Sequence, residues 1–304
     1  MTTSYVVPCG ISVLDRLGRK LPGGSAAGAL VRTVEKGAWL NGISLDQHQH
    51  VLSAWQDKAA ARADAAGLTA VIPRRLSAET HCLAGRQAAV IPPVTEGRVF
   101  LLASDTRMGL SAAFCVGHYL TSGTLADLSY TSADDTSFTP GTAAASVTIV
   151  RVNGLQPDVT QFSQAVTAIG TVLRAAWEAG GPVEVHLSGG FKATLLQTLA
   201  MTEVLHSLAP GRVSAWYAFE DIVGEDPDQP VRPMRIGLRT FPGEYLEDMR
   251  QELSHVEKGA RNLGSTTFKG MGWDDGPPPR LNTFGRGYLA VLGRPSSSPS
   301  DDNS

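Results

Sequence analysis

The stretch VEVHLSGGFK, residues 183–192, decides the fold. Its first five residues, with Val183, Val185 and Leu187 apolar, predict a strand, and the pair Gly189-Gly190 ends it with a turn. The residues that follow predict a helix with Leu195, Leu196 and Leu199 on its buried side. A strand that passes through a tight turn into a helix is the building unit of a parallel sheet.

Comparable units flank this stretch. Further apolar runs predict strands at 4–10, 99–103, 147–152 and 213–219. Helical patterns occupy 25–37, 46–66, a segment that starts at Ser77, a segment after Gly109, and 162–176. Residues 121–144 are polar and rich in Ser, Thr and Gly, which predicts a long loop. The alternation predicts an α/β fold over residues 1–220, a Rossmann-like and mostly parallel sheet with helices on both faces.

The remaining chain has a different texture and predicts a small C-terminal extension over 221–294. Within it we expect a strand at 234–241 and a helix at 244–261, followed by a break at 276–279 and a last strand at 288–292. The helix would turn Tyr245, Met249, Leu253 and Val256 inward. Residues 295–304 form a Ser/Pro/Asp tail, for which we expect disorder.

Composition narrows the function classes. The 304 residues carry a net charge of −3, which argues against a general coat for DNA or long RNA. No apolar run reaches the length of a membrane span, and the N-terminus lacks the layout of a signal peptide. Cys9, Cys82 and Cys115 are few, odd in number and far apart, which is typical of buried thiols in a cytoplasmic protein.

Three strand-to-helix junctions carry the candidate chemistry. They are Cys9-Gly10-Ile11-Ser12, Ser104-Asp105-Thr106 and Ser188-Gly189-Gly190-Phe191-Lys192. Each would place hydroxyls or backbone N–H groups at the positive end of a helix, at the sheet edge where ligands bind in this class of fold. Such a setting suits phosphates. The competing interpretation is that all three are ordinary caps and turns.

Lys192 is the most informative residue of the third junction, since it is the only lysine between Lys58 and Lys258. A compact ammonium beside a glycine pair indicates a contact with a phosphate oxygen, whereas the alternative is a lysine that merely extends from a helix start. The spacing is not that of a Walker A loop, and no GxGxxG fingerprint follows the first strand. His48-Gln-His50 is the only close histidine pair, and no metal site or cofactor is predicted.

In these elements the chain resembles the CARF domain, the CRISPR-associated Rossmann fold, in the branch of standalone ring nucleases. The resemblance covers roughly residues 4–220. It is carried by the first and third junctions, by Leu76-Ser77-Ala78-Glu79, and by the run from Leu102 to Gly109. His186 and Ser188 stand where the family more often has Asn and Thr before its glycine pair.

The resemblance implies that the chain binds a cyclic oligoadenylate, the second messenger of type III CRISPR systems, as a homodimer with the ring across the two-fold axis. It also implies metal-independent cleavage by attack of a 2′-hydroxyl on the neighbouring phosphate. Carried over to this sequence, Lys192 would stabilise the developing charge and Ser12 would orient the reacting phosphodiester. The ligand contacts implied are Gly10, Ile11, Ser104, Asp105, Thr106, Ser188, Gly189, Gly190 and Phe191.

Other functions remain open. A ribonuclease effector of the HEPN type carries an Arg and a His with four to six residues between them, and Arg250 and His255 meet that pattern, but so do Arg75 and His81. Five residues turn a helix so far that Arg250 and His255 would not share a face. A second alternative is a sensor that binds the ring uncut and signals through 221–304, and a third is an unrelated Rossmann-like enzyme with a mononucleotide ligand. The sequence leaves ring size open.

Overall fold

The structure is a computed structural model. It describes residues 2–13, 77–86, 94, 97–121, 128–134, 138, 147–155, 159–190, 192–218, 233–260 and 266–293. The helices predicted at 25–37 and 46–66, the tail 295–304, the histidine pair at 48 and 50, Arg75 and Phe191 lie outside these residues.

Nine strands and six helices occur in the described part of the chain. The strands are β1 (Ser4–Pro8), β2 (Arg98–Ala103), β3 (Leu128–Ala133), β4 (Val147–Val152), β5 (Val183–His186), β6 (Val213–Tyr217), β7 (Met234–Ile236), β8 (Trp273–Asp274) and β9 (Arg280–Leu281). The helices are α1 (Ala78–Arg86), α2 (Arg107–Leu120), α3 (Val159–Glu178), α4 (Leu195–Leu208), α5 (Gly243–Glu257) and α6 (Thr283–Leu292).

Seven strands form one sheet in the order β3-β4-β2-β1-β5-β6-β7. The first six strands run parallel, and β7 adds an antiparallel edge. β1 lies in the middle, with Val6 opposite Phe100 on one side and Val185 on the other. Every residue of β1 is buried, as expected for a strand covered on both faces. The predicted α/β fold is confirmed.

Helices cover both faces of this sheet. α1 and α2 pack on one face, where Leu83, Leu110 and Val116 join a core with Val7 and Leu101. The other face is covered by α3, α4, α5 and α6. The stripe that the sequence predicts for α3 is buried at Ala165, Val166, Ile169, Leu173 and Ala176, while Phe162 at its start is only partly buried. None of the described helices combines the length and apolar character that a membrane span needs.

The loop predicted at 121–144 is wrong in part, because it contains β3. This strand lies at the edge of the sheet and pairs in parallel with β4, with Tyr130 opposite Ile149. Most of its residues are half-buried. An edge strand needs less apolar character than a central one, so its Ser and Thr residues gave the pattern of a loop.

The buried side predicted for α4 is also wrong in part. A short 3₁₀ turn, Lys192–Thr194, precedes the helix and changes its phase. Leu196 is therefore 70% exposed, while Leu195 and Leu199 are only partly buried. The side that faces the core is formed instead by Thr198, Met201, Thr202 and Leu205.

The C-terminal extension is built into the main core. The strand predicted at 288–292 is helical in the structure and forms the second half of α6. Asn282 caps this helix by accepting a hydrogen bond from the Gly285 N–H at 3.0 Å. A Cβ at Gly170 of α3 would lie 2.9 Å from the Ala290 Cβ, so the glycine lets the two helices approach closely. This tertiary contact overrides the strand preference of the apolar run.

The rest of the extension follows the sequence more closely. The strand predicted at 234–241 is shorter and spans only Met234–Ile236. α5 begins one residue before the predicted helix and ends at Glu257, with Met249, Leu253 and Val256 buried and Tyr245 half-buried. The break at 276–279 joins β8 to β9.

Candidate functional site

The chain reverses its direction across the sheet between β1 and β5, because β2 to β4 lie on one side of β1 and β5 to β7 lie on the other. In open parallel sheets such a switch point opens a crevice at the carboxyl ends of the strands. The first predicted junction follows β1 and the third follows β5. The structure therefore brings these two junctions together at the switch point, and the second junction follows β2 on the neighbouring strand.

The glycines of the two junctions are in close contact. A Cβ at Gly10 would lie 3.1 Å from the Gly190 nitrogen, which leaves no room for a larger residue without movement. Gly190 has a φ of +91°, a conformation that favours glycine, and a Cβ there would lie 2.6 Å from the Pro8 Cβ. The turn after β5 therefore rests directly on the end of β1. We call these the β1 turn, residues 9–12, and the β5 turn, residues 187–190.

Glu79 lies between the two turns and is buried, with 1% of its surface exposed. Its Oε1 accepts a hydrogen bond of 2.7 Å from the Gly10 N–H. The same oxygen lies only 2.0 Å from the position that a Cβ at Gly189 would occupy. Burial and the charge of Glu79 together raise the pKa of the Cys9 thiol, so Cys9 remains protonated.

Glu79 comes from the first turn of α1, whose start is held by a reciprocal cap. The Ser77 Oγ accepts a hydrogen bond from the Thr80 N–H at 3.3 Å, and the Thr80 Oγ1 accepts one from the Ser77 N–H at 3.1 Å. Both side chains are buried. Ser77, at which the sequence predicts the start of a helix, thus caps α1, and the cap fixes the position from which Glu79 reaches the turns.

The polar residues predicted at the switch point differ in their surroundings. The Ser188 Oγ accepts a hydrogen bond of 2.6 Å from the Ala218 N–H, which joins the β5 turn to the end of β6. Ser12 is half-buried and already helical in conformation. Lys192 is exposed at the start of the 3₁₀ turn before α4. Ile11, predicted as a ligand contact, is 44% exposed beside them.

The second junction caps α2. The Thr106 Oγ1 accepts a hydrogen bond of 3.0 Å from the Gly109 N–H and lies 3.0 Å from the Ser104 Oγ. A Cβ at Gly109 would clash with the Ser104 Oγ at 1.8 Å, so the glycine makes room for this hydroxyl pair. Ser104 and Thr106 are half-buried at the same sheet edge as the switch point.

Asp105 points into the protein, although it is one of the residues for which a ligand contact is predicted. Its carboxylate forms an ion pair with Arg151 at 2.6 Å from the Nε and accepts a hydrogen bond of 3.0 Å from the Gly154 N–H. Asp105 is 5% exposed. It joins the turn after β2 to the turn after β4. Nearby, burial raises the pKa of Tyr130 to about 12.

A buried histidine lies under the β5 turn on the α1 face of the sheet. His186 ends β5, is fully buried, and contacts the edge of the Tyr5 ring at 6.0 Å between centroids. Burial by itself lowers the pKa of His186, but the adjacent Cys82 and Glu184 raise it to about 9. In the sequence, His186 stands out only because the CARF domains that the chain resembles more often have Asn at this position.

Comparison with known protein families found no family model that matches this chain. No curated protein matches it either.

Among the predicted site residues, the structure brings together Gly10, Ile11 and Ser12 with Ser188, Gly189 and Gly190. Lys192 follows two residues after the β5 turn, whereas Phe191 lies outside the described residues. Sequence reasoning missed Glu79 as a member of the site. Its signal was an acidic residue two positions after a capping serine, a pattern that also suits a helix dipole alone.

The HEPN-like pair is not arranged as a site. The guanidinium of Arg250 forms an ion pair with Glu247 one turn earlier on α5, at 2.7 Å. His255 is exposed on the same helix. Within the described residues no group of three or more His, Cys, Asp or Glu side chains is arranged to hold a metal ion.

Proposed function

We propose that this chain is a ring nuclease, which binds a cyclic oligoadenylate at the switch point and cleaves it without a metal. The observation that carries this proposal is the meeting of two glycine turns at the switch point, beside an exposed lysine. Such turns bring backbone N–H groups close to a ligand, and an ammonium adds a mobile positive charge for phosphate. We further propose a cytoplasmic homodimer of the CARF type, with cyclic tetra-adenylate as the first ring to test.

The proposed reaction needs no water and no co-reactant. The 2′-oxygen of one ribose attacks the neighbouring phosphorus and loses its proton, while the bond from phosphorus to the 5′-oxygen breaks and that oxygen takes up a proton. The products are a linear oligoadenylate with a 2′,3′-cyclic phosphate at one end and a 5′-hydroxyl at the other. The protein contributes in-line placement of the two oxygens and stabilisation of the charge on the phosphate.

The local contacts divide these tasks among few groups. The Gly10 N–H already donates to Glu79, so it is engaged inside the protein. We therefore assign the phosphate contact to Lys192 and to the β5 turn, and the orientation of the phosphodiester to Ser12. Ile11 and Leu196 are exposed apolar side chains next to these residues, which favours a second copy that covers them and supplies a second Lys192.

One contact supports a second candidate, a sensor that binds the ring without cutting it. α4 begins at Leu195, directly after the 3₁₀ turn that Lys192 starts, and it packs on the C-terminal extension: a Cβ at Gly287 of α6 would lie 2.9 Å from the Met201 Sδ. A ligand that moved the start of α4 would therefore press on α6. In that case the extension would transmit binding to a partner.

Incubation with cyclic tetra-adenylate and cyclic hexa-adenylate in EDTA, followed by mass spectrometry of the products, tests the proposal. Linear products with a 2′,3′-cyclic phosphate support the nuclease, and an intact ring that stays bound supports the sensor. Neither product nor complex would refute both.

The matched variants are Lys192→Ala and, as control, Lys258→Ala, which removes another exposed lysine at the end of α5. Loss of a group that stabilises the developing charge costs about 100-fold or more in turnover. We expect that loss for Lys192→Ala, a smaller one for Ser12→Ala, and none for Lys258→Ala. Normal cleavage by Lys192→Ala would contradict the assignment.

A further inference from the structure

The carboxylate of Glu79 contacts both turns of the switch point, although it comes from a third element. We propose that Glu79 is a positioning residue that joins the β1 turn to the β5 turn and so fixes Ser12 relative to Lys192. The inference rests on the proposed function for its kinetic consequence, but the contact itself is independent of any ligand.

A single oxygen atom connects the β1 turn to the β5 turn. The Glu79 Oε1 is the acceptor for the Gly10 N–H, a backbone donor that needs a partner when it is removed from water. That oxygen also fills the space beneath Gly189, where any side chain would collide with it. Gly10 and Gly190 touch directly as well, so the three groups form one packed unit of two turns and a carboxylate.

The helix that carries Glu79, α1, is itself fixed in position. Ser77 and Thr80 fix the start of α1 by their reciprocal cap. One turn further along the helix, Cys82 is fully buried beside His186, and Leu83 is part of the core. α1 can therefore act as a rigid support, and Glu79 transmits its position to the turns.

The two residues to which we assign the chemistry lie at the end of the β1 turn and just after the β5 turn. Ser12 lies two residues after Gly10, and Lys192 lies two residues after Gly190. If Glu79 were removed, the two turns would keep their strands but lose their common support. A displacement of about 1 Å in a reacting group can cost about 100-fold in rate, whereas affinity for a ring held by several phosphates changes less. The expected signature is a fall in kcat with little change in KM.

The test compares Glu79→Ala, Glu79→Gln and Glu79→Asp. Gln keeps the length and the acceptor oxygen, while Asp keeps the charge but is one methylene too short to reach both turns. The matched control is Glu252→Ala, because Glu252 is another buried carboxylate that accepts backbone N–H groups, those of Thr267 and Phe268, far from the site in sequence and on α5. Two readouts are measured: amide hydrogen exchange of Gly10 by NMR, and steady-state cleavage of cyclic tetra-adenylate.

We expect Gly10 exchange to accelerate about tenfold or more in Glu79→Ala, relative to Glu252→Ala at equal global stability, since a hydrogen bond to a charged group is lost. We expect kcat to fall about 10- to 100-fold in Glu79→Ala with KM within about threefold, and Glu79→Gln to stay within about threefold of the wild type. If Glu79→Ala does not fold, the relative activities of the other two variants test the inference: Glu79→Gln must retain more activity than Glu79→Asp.

Three results would overturn the inference: unchanged Gly10 exchange in Glu79→Ala, unchanged kcat in a folded Glu79→Ala, or a Gln variant as damaged as the Ala or Asp variant. If the wild type neither binds nor cleaves the ring, the proposed function fails, and the exchange of Gly10 in the same variants still decides whether Glu79 joins the turns.

Discussion

The close approach of Glu79 to Gly189 predicts how much a substitution of this glycine changes the free energy of unfolding. In Gly189→Ala the new methyl group would lie 2.0 Å from the Glu79 Oε1 and 2.5 Å from its Cδ. An ordinary contact is 3.4 Å or more, so the oxygen must retreat by about 1.4 Å. Its hydrogen bond to the Gly10 N–H is only 2.7 Å long and would not survive that movement.

Two costs follow. Overpacking costs about 1–3 kcal/mol, and a buried donor that loses its acceptor costs about 1–3 kcal/mol. We expect Gly189→Ala to lower the free energy of unfolding by about 2–6 kcal/mol in total. Glu79→Ala alone should cost about 1–3 kcal/mol, because it leaves the Gly10 N–H without this acceptor. Gly237→Ala is the control, since a Cβ there meets nothing within 4 Å and its cost should stay within about 0.5 kcal/mol.

The double variant gives the decisive result. Truncation of Glu79 empties the space into which the methyl group at position 189 points, so the methyl should then cost less than about 1 kcal/mol. We expect a coupling energy of about 1 kcal/mol or more between the two sites in a double-mutant cycle, measured by urea unfolding of the four proteins. Additivity within about 0.5 kcal/mol would refute the contact as described.

Two further predictions concern other buried charges. Asp105→Asn should lower the unfolding free energy by about 3–5 kcal/mol, because it leaves the Arg151 guanidinium, 11% exposed, without its counter-charge; a loss below about 1 kcal/mol in urea unfolding would contradict this. His186 has its pKa raised in the folded state from the usual 6.5 to about 9, so its charged form stabilises the fold below pH 6.5 and this contribution is lost as the pH rises through about 9. Unfolding measured between pH 6 and pH 10 should show that decline in the wild type and not in His186→Gln, and equal slopes would count against it.

The central strands were predictable because burial on both faces leaves a direct trace in the sequence. Five of the six residues of β2 and four of the six residues of β4 are apolar, and the helix after each strand carries a regular stripe. β3 left no such trace, since an edge strand is supported by one neighbour and tolerates Ser and Thr. α6 differs in the opposite direction: its apolar run suits a strand, but the Asn282 cap and the packing of Ala290 on Gly170 favour a helix.

The candidate site was predictable only to the level of strand ends. Parallel strands place their following turns at one sheet edge, so the meeting of the three junctions follows from the fold class. Which junctions touch depends on strand order, and β1 lies next to both β2 and β5. The place of Glu79 depends in addition on how α1 lies across β1 and β5. No local pattern carries that information.

The same difference explains the charge of the site. The sequence places two acidic side chains, Asp105 and Glu79, at or near the junctions, and a negative charge there would repel a phosphate. The structure turns each of them inward: Asp105 onto Arg151, and Glu79 onto the Gly10 N–H. Of the predicted site residues that the structure describes, Lys192 is then the one that is both charged and exposed. A chain of net charge −3 can thus present a positive group to an anion at this edge of the sheet, because the nearby carboxylates form contacts inside the protein that hold the turns in place.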